Sequence, residues 1–144
     1  MKKILVLNGP NLNMLGLREP EIYGPETLRD VEDLCYETAM GHNMRVECRQ
    51  TNHEGVLVDW IQEARGIYDG LIINAAAFTH TSVAIHDALR LLDIPIIEVH
   101  LSDPKKREEF RHFSYVEPVA ARVIAGQGAK GYKLAVEAIN ELLS

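Results

Sequence analysis

Cysteine is scarce: the chain has only Cys35 and Cys48, and no Cys-x-x-Cys. Two thiols at this spacing make a poor disulfide framework, so packed free thiols in a reducing cytoplasm are expected. Long apolar runs are also lacking. The opening MKKILVLNGPNL sets two lysines before an apolar stretch, but only Ile4 to Leu7 pass before Asn8 and Gly9 interrupt it. That is too short for a signal peptide or a membrane span, and neither is expected. Basic charge is outnumbered, with 15 Lys and Arg against 21 Asp and Glu and a net charge of -6. Nucleic acids and membrane surfaces are both anionic, so this balance argues against a general binder of either. A small anionic ligand remains open, because local charge governs its binding. Repeats and low-complexity segments are missing too, which leaves one globular domain over residues 1–144 as the expectation.

What is present is an alternation of apolar strand-like runs with helical periodicity along the whole chain. Ile4 to Leu7, Leu71 to Ile73 and Ile94 to Val99 are continuous apolar runs, as strands buried on both faces require. Met44 to Arg49 alternates and predicts an edge strand, and a fifth, weaker strand is expected between Ala121 and Ala125. Between them, Leu28, Val31, Leu34 and Cys35 form a helical stripe after Thr27, which can cap it with Asp30 three residues on. Gly41 is the expected stop. Further stripes are Leu57, Ile61 and Ala64, then Ile85, Leu89 and Leu92, then Leu134, Ala135, Ala138, Ile139 and Leu142. The pattern predicts an α/β fold and fits a flavodoxin-like, five-stranded parallel sheet of order 2-1-3-4-5 with helices on both faces; periodicity alone does not fix the strand order, which right-handed crossovers narrow. In such sheets ligands sit beyond the carboxyl ends of the strands, where the winding direction switches.

Those ends carry Asn8-Gly9-Pro10-Asn11, Asn52-His53, Asn74 and His100-Leu101-Ser102. Each residue alone could be a turn former, but together they gather polar groups on one rim. The connection from Gly9 to Glu26 is long for a strand-to-helix loop and carries Arg18, Glu19 and Tyr23. Its apolar Leu12, Met14, Leu15 and Leu17 argue against disorder, and a lid over a ligand is expected.

The run Asn8-Gly9-Pro10-Asn11-Leu12-Asn13-Met14-Leu15-Gly16, with Arg18-Glu19-Pro20 and Tyr23-Gly24, resembles the opening signature of type II dehydroquinases. Gln50 to Gly55, Asn74 with Thr79 to Ser82, and Glu98 to Ser102 match in the same order. Arg107-Glu108, Phe110 to His112 and Ala125-Gly126 to Gly131-Tyr132 complete a resemblance over nearly the whole chain. This sequence departs from the family's usual residues at Ala75-Ala76, His86 and Asp103; the last adds a negative charge beside a carboxylate-binding turn.

The resemblance implies a cofactor-free, metal-free dehydratase acting on 3-dehydroquinate by anti elimination through an enolate to give 3-dehydroshikimate, a step in aromatic amino acid biosynthesis. Tyr23 is implied as the base and His100 as the acid for the departing hydroxyl. A free phenol has a pKa of about 10, so little phenolate exists at neutral pH. A guanidinium about 4 Å away, at an effective dielectric near 20, favours phenolate by about 4 kcal/mol before desolvation is subtracted, and Arg18 is implied in that role. Asn11 is implied to hold the enolate oxygen, directly or through a water. Glu98 is two residues before His100 and shares its strand face, which makes it the candidate orienting partner. Substrate binding is implied for Asn74, His80, Ser82, Leu101, Ser102 and Arg111, and Asp87 is implied to reach a neighbouring subunit's site in a dodecamer built from trimers. Arg107 and His112 read as structural or rim residues.

Three rivals remain beside it. A metal hydrolase could use the six histidines, but His80 and His86 miss the i, i+4 spacing of a helical pair and no His-Glu-x-x-His occurs. A Schiff-base dehydratase needs a site lysine, and none of the lysines, at positions 2, 3, 105, 106, 130 and 133, is among the residues implied for the site. A flavodoxin-like binding or signalling module without catalysis needs an acidic cluster and acceptor aspartate, or a hydroxyl-rich phosphate loop. Asn8, Asn74 and Gly126 stand at the receiver positions, and Gly9 to Gly16 carries no hydroxyl residue.

Overall fold

The structure is a computed structural model and describes residues 1–17 and 19–144. Parallel strands β1 (Lys2–Asn8), β2 (Met44–Gln50), β3 (Gly70–Asn74), β4 (Ile96–His100) and β5 (Arg122–Ala125) form one sheet in the order β2-β1-β3-β4-β5. The helices are α1 (Pro20–Tyr23), α2 (Leu28–Gly41), α3 (Glu54–Ala64), α4 (Val83–Leu89) and α5 (Lys130–Leu143), joined by short 3-10 turns. The architecture is the flavodoxin-like one expected from the alternation of strand and helix patterns.

Period-2 alternation along β1 divides the core. Ile4 and Val6 pack with Val31 and Cys35 of α2 and Tyr132, Ala135 and Ile139 of α5, while Leu5 and Leu7 pack with Leu57 and Ile61 of α3 and Ile85 and Leu89 of α4. These side chains are fully or almost fully buried, and burying each of the valines, leucines and isoleucines stabilises the fold by about 1.5–3 kcal/mol. Because Ile72 and Ile73 serve opposite faces, the two cores together hold the end of β3 rigidly in place.

Local signals behave as their chemistry predicts, with two shifts. The α2 capping box is present: Asp30 N–H donates to Thr27 Oγ1 at 3.2 Å, and Thr27 N–H donates to Asp30 Oδ2 at 3.0 Å. Gly41 is the last helical residue, but the left-handed turn falls on Asn43, with φ 57°. Strand β4 starts two residues later than its apolar run. Pro95 has no N–H to give to the ladder, and its carbonyl accepts from Leu71, so pairing begins at Leu71 with Ile96.

The register aligns Gln50, Asn8 and Asn74 across β2, β1 and β3, and His100 opposite Ala125 across β4 and β5. The carboxyl ends therefore form one rim. At its centre Gly9 N–H donates to the Asn74 carbonyl at 2.8 Å. A Cβ on Gly9 would lie 2.6 Å from the Ala75 carbonyl oxygen, so only glycine lets the chain leave β1 this close to β3.

Candidate active site

A cavity of about 270 Å³ opens over this rim, and Asn11, Tyr23, Asn74, His80, His100, Leu101, Ser102 and Arg111 all line it. Its floor is built of neutral amides. Asn74, at the end of β3, donates through Nδ2 to Tyr132 Oη at 3.0 Å and accepts from Ala76 N–H at 3.1 Å. Tyr132 Oη in turn donates to Asn8 Oδ1 at 2.6 Å. All three side chains are buried, so each hydrogen bond protects a group that water cannot reach. Burial pushes the Tyr132 phenol well above its ordinary range, keeping it a neutral link. Asn11 sits in the left-handed region at φ 69°, which asparagine tolerates, and its N–H donates to Asn52 Oδ1 at 2.9 Å. Gln50 Nε2 also donates to Asn52 Oδ1 and to the Gly9 carbonyl, so the end of β2 anchors the turn bearing Asn11.

The wall on the β4 side is titratable. Glu98 and His100 share a face of β4, and His100 Nε2 lies 2.5 Å from Glu98 Oε2. Glu98 is 2% exposed, so its polar oxygens need hydrogen-bond partners within the protein in place of water. A second bond reaches it from Ser114 Oγ at 2.8 Å. His80 ends the 3-10 turn Ala76–His80, and its Nδ1 donates to the Phe113 carbonyl at 2.7 Å. Desolvation holds its pKa below the ordinary imidazole value, and the nearby His100 and Arg111 push the same way. Arg111 donates through Nε to Glu108 Oε2 at 2.5 Å, which holds the Glu108 carboxyl below its usual range.

Tyr23 closes α1 and faces the cavity from the long connection after β1. The Arg107 guanidinium carbon lies 5.2 Å from its ring centroid, while Arg107 Nη1 donates to Ser102 Oγ at 3.4 Å. Arg107, read from sequence as a rim residue, thus bridges Tyr23 to the turn after β4. Ser114 and Tyr132 are the other two residues that sequence reasoning did not place. Tyr132 stood in a matched block, whereas nothing local marks Ser114.

Ser82 and Asp87 lie apart from the described cavity lining. Ser82 is buried and caps α4, its Oγ accepting from Ile85 N–H at 2.9 Å. Asp87 is exposed on α4, and Arg18 lies outside the described residues. No helix among the described residues is long and apolar enough to cross a membrane.

Residues 2–140 match the family model described as dehydroquinase class II. A 3-dehydroquinate dehydratase of Variovorax paradoxus is 56% identical over 144 residues, covering 96% of this chain and 99% of the relative. A 3-dehydroquinate dehydratase 2 of Pseudomonas putida is 58% identical, covering 97% and 94%. The crystal structure of a type II dehydroquinase from Butyrivibrio crossotus superimposes with a TM-score of 0.94 at 50% identity, covering 96% of this chain and 97% of that one. With fold, rim and full-length similarity in agreement, this chain belongs to the class II dehydroquinase family.

Proposed function

We propose that this chain is a carbon-oxygen hydro-lyase that converts 3-dehydroquinate to 3-dehydroshikimate and water, serving aromatic amino acid biosynthesis, and that residues 1–144 form its one catalytic domain. The observation that carries the reading is that Tyr23 and His100 line a single small cavity, with neutral amides on its floor. Removing a proton next to a ketone and expelling a hydroxyl needs a base, an acid and a holder for enolate charge, and this cavity contains candidates for all three.

In this mechanism Tyr23, as phenolate, takes the proton from carbon 2. Arg18 is assigned to favour the phenolate, and the Arg107 guanidinium stands against the Tyr23 ring. Negative charge moves to the ketone oxygen, where Asn11 holds it directly or through a water. A neutral amide stabilises the enolate without competing for its proton. His100, oriented by Glu98, then protonates the hydroxyl leaving carbon 1. The backbone N–H groups of Leu101 and Ser102 hold the substrate carboxylate, and Asn74, His80, Ser82 and Arg111 hold the ring hydroxyls and position the ring. No cofactor or metal is assigned to any step.

Asp87 is assigned to a neighbouring subunit's site, in trimers assembled into a dodecamer. Its exposure on α4 supports this, as do the exposed Val83, Phe110 and Phe113. The cytoplasm is the assigned compartment, in keeping with two free thiols. Sedimentation at working concentration tests the assembly: a twelve-fold mass supports it, and a monomer removes the role of Asp87.

The activity test mixes the protein with 3-dehydroquinate and follows the conjugated enone by ultraviolet absorbance. Wild type converts it; Tyr23→Phe loses nearly all turnover and Arg18→Gln most of it. An active Tyr23→Phe would remove the proposed base.

A further inference from the structure

Three consecutive residues after β4 each fix one titratable side chain. The Phe113 carbonyl accepts from His80 Nδ1, Ser114 Oγ donates to Glu98 Oε2, and the Tyr115 carbonyl accepts from His86 Nδ1 at 2.7 Å. A carbonyl can only accept, so His80 and His86 carry their hydrogens on Nδ1, and in the neutral ring Nε2 is left with a lone pair.

His100 is held the other way round. Ser114 Oγ accepts from Val116 N–H and Glu117 N–H, both at 3.1 Å, which occupies both of its lone pairs. Its single hydrogen therefore goes to Glu98 Oε2. The hydroxyl oxygen of a carboxylic acid is a poor acceptor, so Oε2 takes that hydrogen as an oxygen that carries none itself. The hydrogen between Oε2 and His100 then belongs to Nε2. Glu98 Oε1 is buried and has no hydrogen-bond partner among the described residues, so Oε2 is the oxygen through which Glu98 is held.

We propose that Ser114 and Glu98 keep one proton of His100 permanently on Nε2, so that the proton delivered to the leaving hydroxyl comes from Nδ1, with Ser114 as a positioning residue. The inference rests on the reading of His100 as the acid. In the step, the Nδ1–H bond breaks as the carbon 1 to oxygen bond breaks. The oxygen keeps the bonding electron pair, takes the proton and leaves as water, while His100 is left neutral with its hydrogen on Nε2. The other charged or titratable groups among the described residues around the same cavity are His80, Arg111, Tyr23 and Arg107.

The test is nitrogen-15 NMR of histidine-labelled full-length enzyme, followed from about pH 5 to 9, a range that brackets ordinary imidazole titration. His100→Asn identifies the signal by its loss. The expected result is that His100 Nε2 stays protonated throughout and Nδ1 changes, opposite to His80 and His86. A neutral His100 with its hydrogen on Nδ1 would overturn the proposal. Ser114→Ala should lower kcat roughly tenfold with little change in KM and mix the two His100 tautomers, while Ser114→Thr, which keeps the hydroxyl, restores both. A Ser114→Ala enzyme with unchanged kcat and tautomer would remove Ser114 from the argument. Normal turnover in His100→Asn would instead defeat the reading of His100 as the acid, while leaving the ligand-free tautomer result intact.

Discussion

The floor and the β4 wall of the cavity solve different electrostatic problems. On the floor, Asn8, Asn74 and Tyr132 form a neutral chain of hydrogen bonds whose members do not change charge near neutral pH. On the wall, Glu98, His100, His80 and Arg111 are ionisable and fixed by partners. Charge that develops during a reaction is best met by preorganised neutral donors, whereas a proton in transit needs a group able to release it. Each region also depends on one residue that sequence patterns did not place: Tyr132 for the floor and Ser114 for the wall.

The sharpest way to break this comparison is Glu98→Gln. It removes the charge behind His100 and should lower kcat roughly 10²-fold with little change in KM, as steady-state kinetics would read. A raised KM with kcat intact would mean the wall binds substrate rather than moving a proton. Next, Tyr132→Phe keeps the buried ring but strands Asn8 Oδ1 and one Asn74 hydrogen. It should destabilise the fold by about 2 kcal/mol in urea denaturation. KM should rise more than kcat falls, the reverse of the wall.

A smaller effect is expected at Ala76, which lies beside the floor with φ 51°, a conformation unfavourable to a residue with a Cβ. Ala76→Gly should stabilise the protein by about 1 kcal/mol, with thermal unfolding as the measure. No gain would mean the surroundings have already absorbed the strain.

The smallest concerns His80, whose pKa is lowered in the fold. Below the ordinary imidazole value the unfolded chain takes up a proton that the folded chain resists. The contribution of His80 is therefore complete above that value and is lost as pH falls through its lower folded value. Denaturation midpoints should decline less steeply with acidification in His80→Gln than in wild type; parallel slopes would detach His80 from the acid sensitivity.

Much of the architecture was legible because burial leaves a periodic record. Continuous apolar runs marked β1, β3 and β4, alternation marked the edge strand β2, and Thr27 with Asp30 marked the start of α2. Helix α1 was not legible, since four residues are too few to show a period. Tyr23, Asn11, Asn74 and His100 could be gathered on one rim because strand ends in a parallel sheet share a side. Ser82 stood in a matched block as a substrate contact, and its second task, capping α4 by accepting from Ile85 N–H, leaves its own hydrogen to donate. Arg107 and Ser114 lie in irregular segments, where spacing predicts no direction for a side chain.

By itself the sequence determined which residues are buried, the order in which strands and helices alternate, and which polar side chains stand at the strand ends. All of these follow from chemistry repeated at short, regular intervals. The tertiary structure alone decided what each polar group is bonded to, since those partners come from far along the chain, as with Tyr132 and Asn8, 124 positions apart. A side chain's proton position depends on the donors and acceptors that folding brings beside it, and no local pattern in the sequence encodes them.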